Sequence, residues 1–349
     1  MNGDIDPKKV CVLHFGQVGD VIMAFAALNA IRKRFSDSEI HMIGGKTPAK
    51  LVGDLRLVDK VTAVDRYRLL RGPKARSIKE ILQLVRDVRR ERFDLVIDLH
   101  SLYETNLLGF LSGAKKRLFA SRQNRSIDFL SNFRPRPVSY DPSKHLSEIY
   151  QDVIAPLAIK QARDFALVID PLLVERIRAS HFQNNTGKVM IGIAVGAGHP
   201  SRTWDLDKFC ELAGRLSKNK NAEIFIFLGP EEEKNIDQIT AKFFGIASTL
   251  SGLSLFELAA ACKSLDLFVG NDTGTTHLAA VVGIPVISIT DSRAPSTYFP
   301  RGRQTLVVNT DTIKDIAVED VWQACVDLLR LSTENKSRKK EEPKEDQSE

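Results

Sequence analysis

Short apolar runs alternate with stretches that are apolar at every third or fourth residue, and this rhythm limits the chain to a narrow set of folds. "KVCVLHF" is β-rich, "GQVGD" breaks it, and "VIMAFAALNAIRKRF" has helical spacing with a basic end suited to a helix C-terminus. "SEIHMIGG", "KVTAVDR" and "FDLVIDLH" read as further strands, the last preceded by the helical "SIKEILQLVRDVRRER". Apolar strands separated by helices predict a parallel sheet covered on both faces.

The rhythm loosens between Phe119 and Pro142, where Arg, Ser, Asn and Pro dominate. "HLSEIYQDVIAPLAI" then predicts a helix, "DFALVID" a strand, and "PLLVERIRASHF" a helix with proline in its first turn. After the polar "QNNTGK" the pattern restarts, from strand "VMIGIAV" through strand "AEIFIFLG" and strand "DLFVG" to strand "PVISIT", with helices between them. The 349 residues are enough for two domains with separate cores. We expect one over residues 1–165, another over 166–330, and a charged, disordered tail over 331–349.

A content of 43% hydrophobic and 27% charged residues belongs to a globular protein. No apolar run approaches the ~20 residues that span a bilayer. The opening "MNGDIDPKKV" lacks the apolar segment of a secretory signal, so a cytoplasmic location is expected. Cys11, Cys210, Cys262 and Cys325 are widely spaced in apolar segments, which reads as buried free thiols. The histidines are scattered and give no metal-ligand spacing, so no metal is expected.

The net charge of +6 is concentrated in the first half. Arg66 to Arg92 carries ten Lys/Arg against three acids, and Lys115 to Arg136 seven against one. Such clusters suit an anionic partner, although a solvated helix face accounts for any one of them equally well. Few aromatic residues are interleaved with them, which argues against single-stranded nucleic acid.

Chemistry is densest in "VGNDTGTTHLAAVVGIP". "DLFVG" is a strand and "HLAAVVG" begins a helix, so "NDTGTT" is the turn between a strand's C-terminal end and a helix's N-terminal end. Unpaired amides and the helix dipole suit a diphosphate there. Gly274 allows close backbone approach, while Thr273, Thr275 and Thr276 can donate hydroxyl hydrogen bonds. Asp272 would repel a phosphate, so it should cap amides or accept from a sugar hydroxyl, and His277 could reach the anion. A merely well-capped helix is the alternative.

Three more junctions share this form. "HFGQVGDVIM" sets Gly16 and Gly19 after a strand and Asp20 at a helix start, as an N-cap or as a general base toward a hydroxyl. "VGAGHPSRTW" supplies Gly198, Ser201 and Arg202, the last suited to neutralising a diphosphate. "LGPEEE" offers Glu231 for a ribose diol. "GGKT" at 44–47 lacks the first glycine of a Walker loop, and "DLD" at 205–207 sits where a helix begins and reads as a cap.

Together these stretches resemble the heptosyltransferases of glycosyltransferase family 9. "NDTGTTHLAAVVGIPVISI" is similar to their D-[ST]-G-x-x-H-x-A-A segment, and "VLHFGQVGDVIMAFAALNAIRKRF" to their opening strand, turn and helix. "SRTW", "LGPEEE" and "LSGLSLFELAAACKSLDLFVG" match further segments, so the resemblance covers about residues 10–320. It implies an α/β fold of the GT-B type, two Rossmann-like parallel-sheet domains facing a cleft. The first domain would take the acceptor and the second a nucleotide-sugar donor, typically ADP-heptose, with inversion at the anomeric carbon and no separate cofactor.

By that resemblance Asp20 matches the general base. Gly198, Ser201, Arg202, Glu231, Leu253, Asp272, Thr273, Gly274, Thr275 and His277 match the donor site, with Leu253 beside the adenine. His14, Gly19 and His145 match acceptor positions. The implied acceptor is an anionic glycolipid at the inner membrane face, with peripheral membrane contact and no nucleic acid. His14 stands where a basic residue is usual, Ile149 where an arginine is, and "ITDSRAP" where a Gly-Pro-Thr turn is. Another nucleotide-sugar transferase or epimerase, or a non-catalytic anion binder, are the competing readings.

Overall fold

The computed structural model describes residues 5–159, 165–182 and 187–341, without side-chain detail at 67, 70, 333 and 335–341. Two compact units divide at Phe165 and Ala166, the first also taking in Ser296–Tyr298.

In the first unit, β1 (Lys9–His14), β2 (Glu39–Gly45), β3 (Lys60–Val64), β4 (Leu95–Asp98) and β5 (Lys116–Phe119) form one sheet in the order β3-β2-β1-β4-β5. All of its pairings are parallel. Val10 to Leu13 and Leu95 to Ile97 are wholly buried because helices cover both faces. The strand order reverses at β1, since the chain steps outward to β2 and β3 before returning to β4 on the far side. A crevice opens at the C-terminal ends of strands where such a reversal occurs, here β1 and β4.

The second unit repeats the plan. β6 (Val189–Ala194), β7 (Ala222–Phe227), β8 (Ser248–Leu250), β9 (Leu267–Asn271), β10 (Val286–Asp291) and β11 (Thr305–Thr310) form a parallel sheet ordered β11-β10-β9-β6-β7-β8. Its reversal lies at β6 and β9. The core is continuous, with Trp204, Phe209, Phe243 and Ile316 fully buried on one side of the sheet. Asp205 caps the helix Leu206–Lys220 by accepting from the Asp207 N–H at 2.7 Å, the role expected of "DLD".

Two expectations are corrected. Of the expected strand "DFALVID", Asp164 lies outside the described residues, and residues 165–170 are irregular, joined to the domain by the Leu167 N–H to the Val281 carbonyl at 2.7 Å, before Asp170 caps the helix Pro171–His181. The apolar run is real, but no neighbouring strand offers it a ladder. The tail expected from 331 is helical as far as Glu341, continuing the helix Val318–Glu341. Its Lys, Arg and Glu are good helix formers, no Gly or Pro interrupts it, and Arg330 pairs with Glu334 one turn on at 3.1 Å. The rest of that tail lies outside the described residues.

Cys11, Cys262 and Cys325 are buried and Cys210 is half-buried, all as free thiols. Burial pushes the Cys11, Cys262 and Cys325 thiols up, away from the reactive thiolate.

Candidate active site

In the first unit, β1 ends at His14 and the chain turns through Phe15, Gly16 and Gln17 into the helix Val18–Met23. Asp20 is half-buried in the first turn of that helix, and its Oδ2 accepts from the Gln17 N–H at 3.0 Å. His14 Nδ1 accepts from the Gly16 N–H at 3.2 Å. A Cβ on Gly16 would lie 2.6 Å from His14 Cε1 and 2.8 Å from Asp20 Oδ2, so only glycine lets imidazole and carboxylate flank the same turn. Gly19 is half-buried in the same helix.

The crevice floor is aromatic. His100, just past β4, stacks on His14 with ring centroids 5.4 Å apart, and Tyr150 meets His14 edge-on at 5.0 Å. Burial, with the charges of Arg122, Arg66 and Arg125, holds His100 down to about 3. Burial likewise holds His14 well below the usual range, with His100 and Arg122 adding to the effect. Both rings are therefore neutral at pH 7. Burial, helped by the Asp20 carboxylate, raises the Tyr150 phenol. His100 and Tyr150 were not singled out in the sequence, although "LVIDLH" repeats the "VCVLH" of β1, with Leu13 opposite Asp98. His145 caps the helix Leu146–Ile154, the helix that carries Tyr150, its Nδ1 accepting from the Ser147 N–H at 3.2 Å.

In the second unit, the loop after β9 enters the helix Gly274–Val282 through Thr273, which makes no side-chain cap bond. The first backbone bond of the turn runs from the His277 N–H to the Thr273 carbonyl at 3.0 Å. The Gly274 and Thr275 amides thus sit at an uncapped helix start, which favours an anion. Thr273 and Thr275 share a hydroxyl hydrogen bond at 2.8 Å beside it. Thr276 is corrected from ligand donor to structural tie: it is buried and its Oγ1 donates to the Asn271 carbonyl at 2.6 Å. Asp272 pairs with His277, Oδ1 to Nε2 at 3.2 Å, with the imidazole almost wholly buried. That pairing points the aspartate into the loop.

The loop after β6 carries Gly198, at φ +64° in the left-handed region, then the 3-10 turn Pro200–Arg202. His199 Nδ1 caps that turn by accepting from the Ser201 N–H at 3.2 Å, and the Ser201 and Arg202 side chains are exposed. Trp204 anchors it, donating Nε1–H to the Ile316 carbonyl at 3.0 Å from full burial. Asn271 ties the two loops: its Oδ1 accepts from the Trp204 N–H at 2.9 Å, and its Nδ2 donates to the Val195 and Gly196 carbonyls at 2.9 and 3.1 Å.

A description of family members matches residues 81–319: glycosyltransferase family 9 (heptosyltransferase). The chain belongs to this family. It is 24% identical over 293 residues to lipopolysaccharide heptosyltransferase 1 of Campylobacter coli, covering 80% of this chain and 83% of that one. It is 22% identical over 290 residues to the lipopolysaccharide core heptosyltransferase OpsX of Haemophilus influenzae, covering 81% and 79%. Among solved structures, the family 9 protein of Veillonella parvula superposes with a TM-score of 0.73 at 20% identity, over 95% of this chain and all 100% of that one. The E. coli ADP-heptose heptosyltransferase II superposes at 0.75 with 18% identity, over 93% and 99%. The fold is that of the GT-B heptosyltransferases, two Rossmann-like domains, and the protein is a glycosyltransferase.

A hollow of about 390 Å3 in the second unit is lined by Gly196, Gly198, His199, Glu231, Glu232 and Gln238, among others. Glu231 is exposed on it, whereas Glu232 turns inward, accepting from the Gly229 N–H at 3.0 Å and lying against the bare Cα of Gly196. Leu253 is half-buried just before Ser254, the cap of the helix Leu255–Cys262. In the turn after β10, Arg293 clamps Asp291 with Nε–Oδ1 at 3.1 Å and Nη2–Oδ2 at 2.6 Å, and donates to the Ser201 carbonyl at 3.2 Å. "ITDSRAP" therefore supplies a second guanidinium next to the Arg202 loop, a residue that the sequence reading passed over.

Proposed function

We propose that the chain moves a heptose from ADP-heptose to a hydroxyl of a lipopolysaccharide core acceptor, inverting the anomeric carbon. The observation that carries this is the uncapped start of the helix Gly274–Val282, with Arg202 and Arg293 on a neighbouring loop system, in a family 9 chain. Departure of a diphosphate builds negative charge at the leaving group, and preorganised amides and guanidinium groups stabilise it. Asp20 takes the proton of the acceptor hydroxyl, the oxygen bonds to C1, and the C1–O bond to ADP breaks as the transition state acquires oxocarbenium character. The amides and guanidinium groups take the part that a cation plays elsewhere, so the reaction needs no cofactor. The nearby Glu231 and Leu253 would meet ribose and adenine.

The acceptor is read as an anionic glycolipid at the cytoplasmic face of the inner membrane, held by the basic first unit. No helix among the described residues is long and apolar enough to cross a membrane. Relatives named for lipopolysaccharide heptosyl transfer, and the E. coli heptosyltransferase solved with ADP, support this assignment.

The test is a panel of ADP-, UDP- and GDP-sugars with detection of transferred product. ADP-heptose should raise the melting temperature and give product with the wild-type protein. Asp20→Ala should abolish transfer while ADP-heptose still stabilises the fold. Stabilisation by UDP-sugars alone would overturn the donor, and near-normal turnover of Asp20→Ala would reduce Asp20 to a helix cap.

A further inference from the structure

The helix Lys74–Arg90 has a wider apolar arc than its domain covers. At 100° per residue, Ser77, Leu84 and Val88 face the sheet, while Ile78, Ile81, Leu82 and Val85 continue the stripe round the cylinder. Ile78 is 58% exposed and Leu82 51%. Right-handed crossovers set this helix beside the helix Tyr103–Leu111 on one face of the first sheet. The second helix exposes Leu107 and Phe110, and Phe129, 73% exposed, stands on the short turn packed against it. Two adjacent elements therefore leave hydrocarbon uncovered on the same side.

Cations border that stripe. Lys79 and Arg86 fall at its edge, Lys74 at its N-terminal end and Arg89 at its C-terminal end, and none of the four has a carboxylate partner among the described residues. Arg76, on the other flank of this helix, and Arg68 of the preceding helix Arg66–Arg71 instead share the Glu80 carboxylate. We infer that this face of the first unit docks on an anionic bilayer surface, with Ile78, Ile81, Leu82, Leu107, Phe110 and Phe129 entering the headgroup boundary and the cations meeting lipid phosphates.

Charge complementarity selects the occupant. A second copy packed about a two-fold axis would press these cations toward like charges. A nucleic acid would meet the cations but gain nothing from exposed Ile and Leu side chains. An interface with hydrocarbon below and phosphate above satisfies both groups at once. The surface uses none of the residues assigned to transfer; it names the face by which the basic first unit would reach a membrane-bound acceptor, and it rests on that reading.

Sedimentation of the full chain with phosphatidylglycerol–phosphatidylethanolamine vesicles, against phosphatidylcholine vesicles, tests it without either substrate. The wild type should bind the anionic vesicles, with retention falling as salt rises. Ile78→Asp with Leu82→Asp should weaken binding about ten-fold or more, and Lys79→Glu with Arg86→Glu likewise. Phe244→Asp, at a still more exposed position in the second unit, should leave it unchanged. The charge-reversal pair alters only exposed side chains and decides the matter if the aspartate pair melts early. Equal binding to both vesicle types, no binding, unimpaired variants, or a wild-type dimer dissolved by the Ile78/Leu82 pair would each overturn the assignment. Because no sugar donor is present, this result and that of the donor panel stand separately.

Discussion

A single methyl group at Gly16 would meet both His14 and the Asp20 carboxylate well inside van der Waals contact. Gly16→Ala should therefore displace the carboxylate by about 1 Å and lower turnover roughly 100-fold, with ADP affinity unchanged. Steady-state kinetics beside nucleotide titration would show the split, and equal losses in both would point to general misfolding. Asn271 makes the opposite kind of contribution. Asn271→Ala leaves the Trp204 amide and two carbonyls unsatisfied, and should cost about 2–4 kcal/mol and weaken ADP binding, read from denaturant melts and titration. At this scale the sequence announced the Asp272–His277 loop, because five polar residues and a glycine between apolar runs have no use in a core. It concealed Asn271 and Arg293, whose importance depends on carbonyls contributed by loops far away in the chain. Thr276 looked like a donor to ligand for the same reason: nothing local says which hydroxyl turns inward.

Elements carry the pH behaviour. His14 ends β1 and His100 follows β4, and burial keeps both neutral. An unfolded imidazole takes up a proton near 6.5, which the folded crevice refuses until about 3 for His100, so stability falls as pH drops through that window. Asp98, raised by burial to about 6, acts in the other sense and gains stability as pH falls from 6 toward the unfolded value. Between pH 7 and 5 His100 should lose about 2 kcal/mol, Asp98 should offset about 1, and His14 adds to the loss. Thermal melts should show first-unit stability declining over this range, and His100→Asn should flatten the decline. An unchanged slope in that variant would remove His100 as its source. Alternation of apolar strand and amphipathic helix made most of this architecture legible. It failed where pattern and partner separate: "DFALVID" has the apolar residues of a strand without a neighbour to pair with, and "KRLF", half charged, is a strand because β4 lies alongside. The end of the last helix was misjudged because surface Lys and Glu, read as solvated tail, are also strong helix formers.

Across the whole molecule, the two units have separate cores and separate crevices. If the second unit takes the nucleotide, as proposed, ADP should slow amide exchange at residues 270–277 and 196–204 and leave 14–20 near its free rate. Mass spectrometry of exchanged peptides reads this directly, and protection confined to 14–20 would reverse the assignment of halves. Bound at about 100 times its dissociation constant, the nucleotide should add about 2.7 kcal/mol to the unit that holds it.

The sealed thiols have a practical consequence. Cys11 lies in the central strand of one sheet, whereas Cys262 and Cys325 lie in the other unit, and all three become chemically available only when their surroundings open. A thiol reagent applied to the resting protein should mark Cys210 first. Its later, slower modifications then act as two built-in clocks, each timing the opening of a different half of the chain without an introduced label.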